Sequence, residues 1–207
     1  RFCPTCRRSF GDLETCPGDG IQLMPLPTAY PQPGIRIDDT LVLGERIADG
    51  GMARIYRVNN SEDGRVYACK VLHPSLALQP YTVERFYRQA RVSLKFEHPG
   101  LASVLQYGPA GEGHHIIVME LLTGESLASI MAREGRLEWE RSVRIILYLC
   151  AALGYIHGQG VVHRDIKPEN IQVGLHPDGG EKVWLLDFGI AQVSDDVAFT
   201  TAFGDVL

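Results

Sequence analysis

Runs of apolar and polar positions divide the globular part of the chain into elements. Residues 41–48, 55–59 and 65–72 read as strands, separated by Gly50-Gly51 and by Ser61-Glu62-Asp63-Gly64. The second separator is a turn cluster between β-type runs and predicts a hairpin. Over residues 80–96 the period changes, with Val83, Phe86, Tyr87, Ala90 and Leu94 at helical spacing. Strand-like runs return at 102–107 and 114–121, and helical patterning follows at 126–134 and 138–159, the latter closing at Gly158-Gln159-Gly160. A short strand pair, 171–173 and 182–186, brackets the loop 174–181. Strands with one helix, then mostly helices carrying a small hairpin, predict a two-lobe α+β fold rather than an alternating parallel sheet.

Two segments precede this pattern. Residues 1–24 are rich in Cys, Gly and polar side chains and too poor in apolar ones to make a core unaided. Residues 25–35 hold Pro25, Pro27, Pro31, Pro33 and Gly34 and read as an extended linker. The longest uncharged apolar stretch, 145–156, has 12 residues. A bilayer span needs roughly 17–25, so no membrane segment is expected in this chain. The start, Arg1-Phe2-Cys3-Pro4, lacks the apolar run of a signal peptide. With 20 Lys+Arg against 25 Asp+Glu, the net charge of −5 excludes a protein that coats nucleic acid through bulk positive charge.

Cys3, Cys6 and Cys16 crowd into the first 16 residues, whereas Cys69 and Cys150 stand alone in apolar surroundings. An odd count of five in this layout does not suit a disulfide framework; it suits a reducing compartment, hence a cytoplasmic location. Cys3-Pro4-Thr5-Cys6 and Cys16-Pro17-Gly18-Asp19 form two knuckles and look like a small zinc ribbon, with Cys3, Cys6, Cys16 and Asp19 as the ligands. Free thiols, or a metal shared with another chain, are the alternatives. Without metal, 24 such residues would have too little else to offset their chain entropy.

Three further segments occur in a particular order. Val66-Tyr67-Ala68-Cys69-Lys70 ends on a lysine in the third strand. His163-Arg164-Asp165-Ile166-Lys167-Pro168-Glu169-Asn170 follows the long helix, and Asp187-Phe188-Gly189 follows the short hairpin. Singly, these residues would pass for an exposed strand lysine and solvated loop carboxylates. In this order and spacing, the chain from about residue 36 onward resembles a bacterial Ser/Thr protein kinase of the eukaryotic-like type. That resemblance implies residues 36–122 as the N-terminal lobe and hinge, and 123–207 as part of the C-terminal lobe, ending in the activation segment. It also implies ATP with Mg²⁺ or Mn²⁺ as cofactors, protein substrates in signalling, and autophosphorylation in trans.

Phosphoryl transfer asks for charge neutralisation and alignment. Lys70 on a rigid strand can hold the α- and β-phosphates, and Asp165 can accept the substrate hydroxyl proton. Asn170 and Asp187 offer hard oxygens for Mg²⁺. By resemblance, Lys167 steadies the γ-phosphate, and Lys167-Pro168-Glu169 marks the Ser/Thr version. The phosphate-covering loop, G-x-G-x-x-G-x-V in the family, reads here Ala48-Asp49-Gly50-Gly51-Met52-Ala53-Arg54-Ile55. Alanines replace the first and third glycines, which predicts a stiffer loop. The resemblance further places adenine between Ile55 and Ala68 on one side and Gln172, a polar floor residue, on the other. It makes Met119 the gatekeeper and gives the backbone of Glu120 and Leu122 to adenine. Residues 118–122 read equally as a buried strand running into a loop.

Arg85-Phe86-Tyr87-Arg88-Gln89-Ala90, followed by His98-Pro99, aligns with a family phrase that has glutamate where Gln89 stands. Glutamine brings no charge to Lys70, and Glu84 faces roughly 140° away on a helix of about 3.6 residues per turn. A slow kinase, a substitute carboxylate, or a pseudokinase that binds nucleotide or acts as a scaffold all fit this departure. Arg164 resembles the arginine that pairs with an activation-loop phosphate, with Thr200 and Thr201 as candidate acceptors or ordinary loop threonines. The Ala-Pro-Glu anchor and the later helices of the family fold are absent from the 207 residues, so the helix at 138–159 is expected to expose apolar surface and the chain alone to work poorly.

Overall fold

The computed structural model describes residues 1–187 apart from Pro4, Arg7, Ser9, Pro177 and Asp178. Phe188, Gly189, Thr200 and Thr201 lie outside the described residues. The chain divides into two compact units, Arg1–Leu94 with Ser103–Leu121, and Lys95–Ala102 with the chain from Leu122 onward.

The first unit is built on an antiparallel sheet of β1 (Leu41–Asp49), β2 (Ala53–Asn60), β3 (Val66–Leu72), β4 (Val104–Ala110) and β5 (His114–Glu120), in the order β1-β2-β3-β5-β4. Side chains alternate across a strand, so β3 sends Cys69 and Val71 to one face and Ala68, Lys70 and Leu72 to the other. Cys69 and Val71 meet Leu41, Leu43, Tyr56, Val58, Ile116 and Val118 in one core. On the opposite face Leu72 and Ile117 pack with Val83, Phe86, Tyr87 and Ala90 of α2 (Pro80–Ser93). A single turn of helix, α1 (Pro74–Ala77), leads into α2; its four residues carry too little periodicity to be read from sequence.

Two boundaries of this unit differ from expectation by three residues, the others by two at most. Helix α2 stops at Ser93 rather than 96, because Leu94 caps it while Phe96 turns away to pack on Tyr155. Strand β4 runs from Val104 to Ala110, three residues beyond the expected end, through Gly108-Pro109. Those residues lie outside the run read as a strand, but β4 is an edge strand, where a proline costs no ladder hydrogen bond.

The N-terminal residues belong to this first unit. Phe2 and Met24 exchange both backbone hydrogen bonds at 2.8 Å, and Thr15 bridges Gln22. Cys3, Cys16 and Leu23 form a small cluster of their own. Phe2 does not join it: its ring is fully buried among Val83, Phe86, Tyr87 and Ala90, with its centroid 4.4 Å from that of His115 in an edge-to-face contact. Further along, Gly113 has φ +90°, and a Cβ there would sit 2.5 Å from the carbonyl oxygen of Pro25. Only glycine allows so close an approach between the β4–β5 turn and the proline-rich segment.

The second unit carries a three-stranded sheet, β6 (Glu125–Ser126), β7 (Ile171–Leu175) and β8 (Glu181–Leu185), with β7 in the centre. Helix α3 (Leu127–Glu134) is capped by Ser126, whose Oγ accepts from the Ser129 N–H at 3.1 Å. Helix α4 (Trp139–Gly158) buries Ile145, Ala152 and Ile156 and leaves Trp139, Ile146 and Leu147 exposed. Cys150, expected in apolar surroundings, is exposed on the same helix. Ile146 and Leu147, four and three positions before it and so on the same helical face, are exposed with it. Among the described residues no helix is long and apolar enough to cross a membrane.

Candidate active site and metal centre

In the first unit, strand register gathers the residues expected to hold nucleotide. Ile55 lies opposite Lys70 across β2 and β3, and Ala68 lies opposite Met119 across β3 and β5. Directly paired residues share a face, as do residues two apart, so Ile55, Ala68, Lys70 and Met119 project from the same side. That is also the side on which α2 packs, and Gln89 is half-buried on α2. Glu84 is turned to Arg91 and Arg88 in ion pairs, which leaves it no role at Lys70. Ala48 pairs with Ile55 at the mouth of the turn, and Gly50 and Gly51 are exposed at its tip. The Glu120 N–H is committed to the Ser103 carbonyl at 2.8 Å, so of its two backbone groups only the carbonyl remains for a ligand.

In the second unit, the segment after α4 folds into a loop held from below by His163. This side chain is 1% exposed. Its Nε2 donates to the Leu186 carbonyl at 2.8 Å, and its Nδ1 accepts from the Asp165 N–H at 3.3 Å. Burial lowers its pKa, which keeps the ring neutral and suits one donor and one acceptor. His163 thus ties Asp165 to the residue before Asp187. The eight-residue motif contained it, yet nothing in a linear pattern assigns it that role.

Asp165, Lys167 and Asn170 meet directly. Lys167 Nζ is 2.9 Å from Asp165 Oδ2. Asn170 Nδ2 donates to Asp165 Oδ2 at 2.8 Å and to the Asp165 carbonyl at 2.9 Å. The Lys167 hydrogen bond, assisted by Asn170, holds the Asp165 carboxyl below its usual range, and the same contact raises Lys167. Both groups facing Nδ2 are acceptors, so the amide orientation is determined and Oδ1 is turned away from Asp165. The amide is nine-tenths buried and its donor side is used up, which leaves one hard oxygen for a cation. Asn170 closes a 3₁₀ turn (Pro168–Asn170), and its carbonyl accepts from the Leu186 N–H at 2.8 Å.

Arg164 and Asp187 adopt φ values of 65° and 49°. Neither is glycine, so each holds a costly left-handed conformation beside the carboxylate loop, as happens where side-chain direction matters. Gln172 stands half-buried on β7 opposite Ser126 and Trp184, and Leu122 is half-buried at the start of this unit.

At the N-terminus the ligand atoms of Cys3, Cys6, Cys16 and Asp19 all lie within 4.8 Å of one another. Cys6 Sγ and Cys16 Sγ are 3.6 Å apart, and Asp19 Oδ2 is 3.0 and 3.2 Å from the sulfurs of Cys3 and Cys16. Each knuckle turns its third following amide onto its first sulfur: Cys6 N–H to Cys3 and Asp19 N–H to Cys16, both at 3.4 Å. Burial, together with hydrogen bonds to its neighbours, pushes the Cys6 thiol up to about 12, while the Cys3 and Cys16 thiols hold the Asp19 carboxylate below its ordinary value.

A protein kinase domain family model matches residues 41–206. Serine/threonine-protein kinase pkn3 of Myxococcus xanthus is 40% identical over 149 residues, covering 72% of this chain and 27% of that protein. Serine/threonine-protein kinase PknA of Mycobacterium tuberculosis is 37% identical over 174 residues, covering 82% of this chain and 39% of its own length. Among solved structures, the Mycobacterium tuberculosis PknI kinase domain matches with a TM-score of 0.67 at 26% identity, over 79% of this chain and 64% of that one. The chain belongs to the protein kinase family. Within it, the similarity runs to bacterial Ser/Thr kinases, and the chain spans about a quarter to two-fifths of the length of the two curated relatives above.

Proposed function

We propose that the chain is the nucleotide-binding and catalytic part of an ATP-dependent protein Ser/Thr kinase, preceded by a zinc knuckle. The observation that carries this reading is the Asp165–Lys167–Asn170 constellation, with an ionised carboxylate flanked by a cation and an amide N–H. Lys70 holds the α- and β-phosphates of ATP. Asp165 accepts a hydrogen bond from the substrate hydroxyl and aligns its oxygen with the γ-phosphorus. The new O–P bond forms as the bond from the γ-phosphorus to the bridging oxygen breaks, ADP leaves, and the hydroxyl proton passes to Asp165. Its lowered pKa makes Asp165 a weak base, so alignment contributes more than early proton removal. Lys167 balances charge on the transferred group. Mg²⁺ or Mn²⁺ held by Asn170 Oδ1 and Asp187 would neutralise phosphate charge. Autophosphorylation in trans at Thr200 or Thr201, read by Arg164, completes the proposal.

For the knuckle, tetrahedral Zn–S bonds of about 2.3 Å set S···S separations of roughly 3.8 Å. The 3.6 Å between Cys6 and Cys16 and the amide-to-sulfur hydrogen bonds support Zn²⁺ on Cys3, Cys6, Cys16 and Asp19. Thiols gathered in this way suit a reducing compartment, in keeping with a cytoplasmic enzyme.

The test is transfer of labelled phosphate from ATP with Mg²⁺ to a generic basic protein, by the whole protein and by its Asp165→Asn variant. Incorporation confined to the wild type supports the kinase reading. Gln89 and Gln172 favour a second reading, a nucleotide-binding pseudokinase, which no incorporation in either sample would support.

A further inference from the structure

Tyr30 precedes the family match by eleven positions, 30 against 41, yet it reaches the phosphate-covering turn. Its hydroxyl hydrogen-bonds His73 Nδ1, and His73 Nε2 lies 2.6 Å from the Gly50 carbonyl oxygen. A carbonyl only accepts, so Nε2 carries the proton. On a neutral ring Nδ1 then accepts, and the Tyr30 O–H donates. The two rings meet edge to face, with centroids 5.6 Å apart. His73 also gives its backbone N–H to the Met52 carbonyl at 3.0 Å. On its other side, the Tyr30 ring carries the Arg54 guanidinium 3.5 Å from its centroid. Arg54 Nε in turn holds Asp49 Oδ1 at 2.6 Å.

Both strands flanking the turn, and two carbonyls at its tip, therefore converge on Tyr30 and His73. We propose that these two side chains are positioning residues for the nucleotide: by anchoring the Gly50 carbonyl they set the direction of the peptide that follows it. A trans peptide points its N–H opposite its C=O. With the Gly50 oxygen turned to His73, the Gly51 N–H is aimed the other way, as a donor for an anionic phosphate oxygen. The anchor replaces by outside attachment some of the shape that Ala48 and Ala53 do not supply. This inference rests on the reading that residues 48–55 cover a nucleotide.

The experiment uses the whole protein and Mg·ADP as probe. Calorimetric binding and amide hydrogen exchange over 50–53 in the nucleotide-free state are measured for wild type, Tyr30→Phe, His73→Ala and His73→Gln. Tyr30→Phe keeps the ring beneath Arg54 and removes only the hydroxyl. Loss of one or two hydrogen bonds predicts Mg·ADP binding about 3- to 10-fold weaker in Tyr30→Phe and His73→Ala, with faster exchange at Gly51 and partial recovery in His73→Gln, whose amide can still donate to Gly50. Wild-type affinity and exchange in Tyr30→Phe and His73→Ala overturn the inference alone. A wild type that binds no Mg·ADP overturns the nucleotide reading, and the inference falls with it.

Discussion

Asn170 spends a single amide nitrogen on two oxygens of Asp165, the carboxylate Oδ2 at 2.8 Å and the main-chain carbonyl at 2.9 Å. The residue whose oxygen is proposed to hold a cation is thus also the one that fixes the Asp165 carboxylate in place. Replacing Asn170 with alanine removes both functions. Phosphate transfer is expected to fall about 10²-fold or more. Raising Mg²⁺ should recover only part of it, because the metal cannot restore the direction of Asp165. Full recovery in a steady-state Mg²⁺ titration would mean that the amide serves the cation alone.

Gln89→Glu is expected to raise kcat/KM several-fold. The substitution places a carboxylate on the α2 face that packs against the Lys70 side of the sheet, and adds to a neutral acceptor the charge that an ammonium prefers. Steady-state kinetics with saturating protein substrate would show it. Unchanged kinetics would mean that Lys70 is already held by another group.

The knuckle should bind one Zn²⁺ per chain, and Cys16→Ser should lose it. Chelation should lower the melting temperature of the first unit and speed amide exchange in α2, since Phe2 leads directly into Cys3. Elemental analysis finding no zinc in protein purified without chelator would refute the assignment.

Phe2→Ala should cost about 3–5 kcal/mol in denaturant unfolding, the usual range for truncating a fully enclosed phenylalanine. A cost under 1 kcal/mol would show that the N-terminal residues do not stay docked.

Stability should fall with acid in a window set by His115. Burial, reinforced by the charge of His114, lowers its pKa to about 4, and its Nδ1 is taken up by the Tyr87 hydroxyl at 2.7 Å. The unfolded chain protonates near 6.5, the folded one only near 4. As pH drops through that interval the unfolded state binds the extra proton, and up to roughly 3 kcal/mol is lost, with no further loss from this group below it. His115→Gln should flatten the curve of stability against pH between those limits; a curve identical to wild type would place the acid sensitivity elsewhere.

Most of the sheet was legible because its patterning is local. Residues 65–72 read as a strand from their run of β-type side chains, although Leu72, as apolar as Cys69 and Val71, packs on the other face. The carboxylate loop was legible for the same reason: Asp165, Lys167 and Asn170 sit within six positions, and the structure closes them on one another. Where side chains from distant positions decide the outcome, sequence was silent. Nothing in Pro109 marks it as belonging to an edge strand, and nothing in Leu94 marks the helix end. Phe2, Tyr30 and His73 find their partners across dozens of residues, through contacts that exist only once the sheet has formed. The four knuckle donors fell between these cases, since Cys-x-x-Cys and Cys-x-x-Asp are each local while their meeting is not.

The burial of Phe2 bears on where this domain can be cut. A fragment starting at residue 41, where the family match begins, would remove the phenylalanine that fills the space among Val83, Phe86 and Tyr87 and leave those side chains facing solvent. Poor expression or aggregation of such a fragment would report on the choice of boundary rather than on the enzyme.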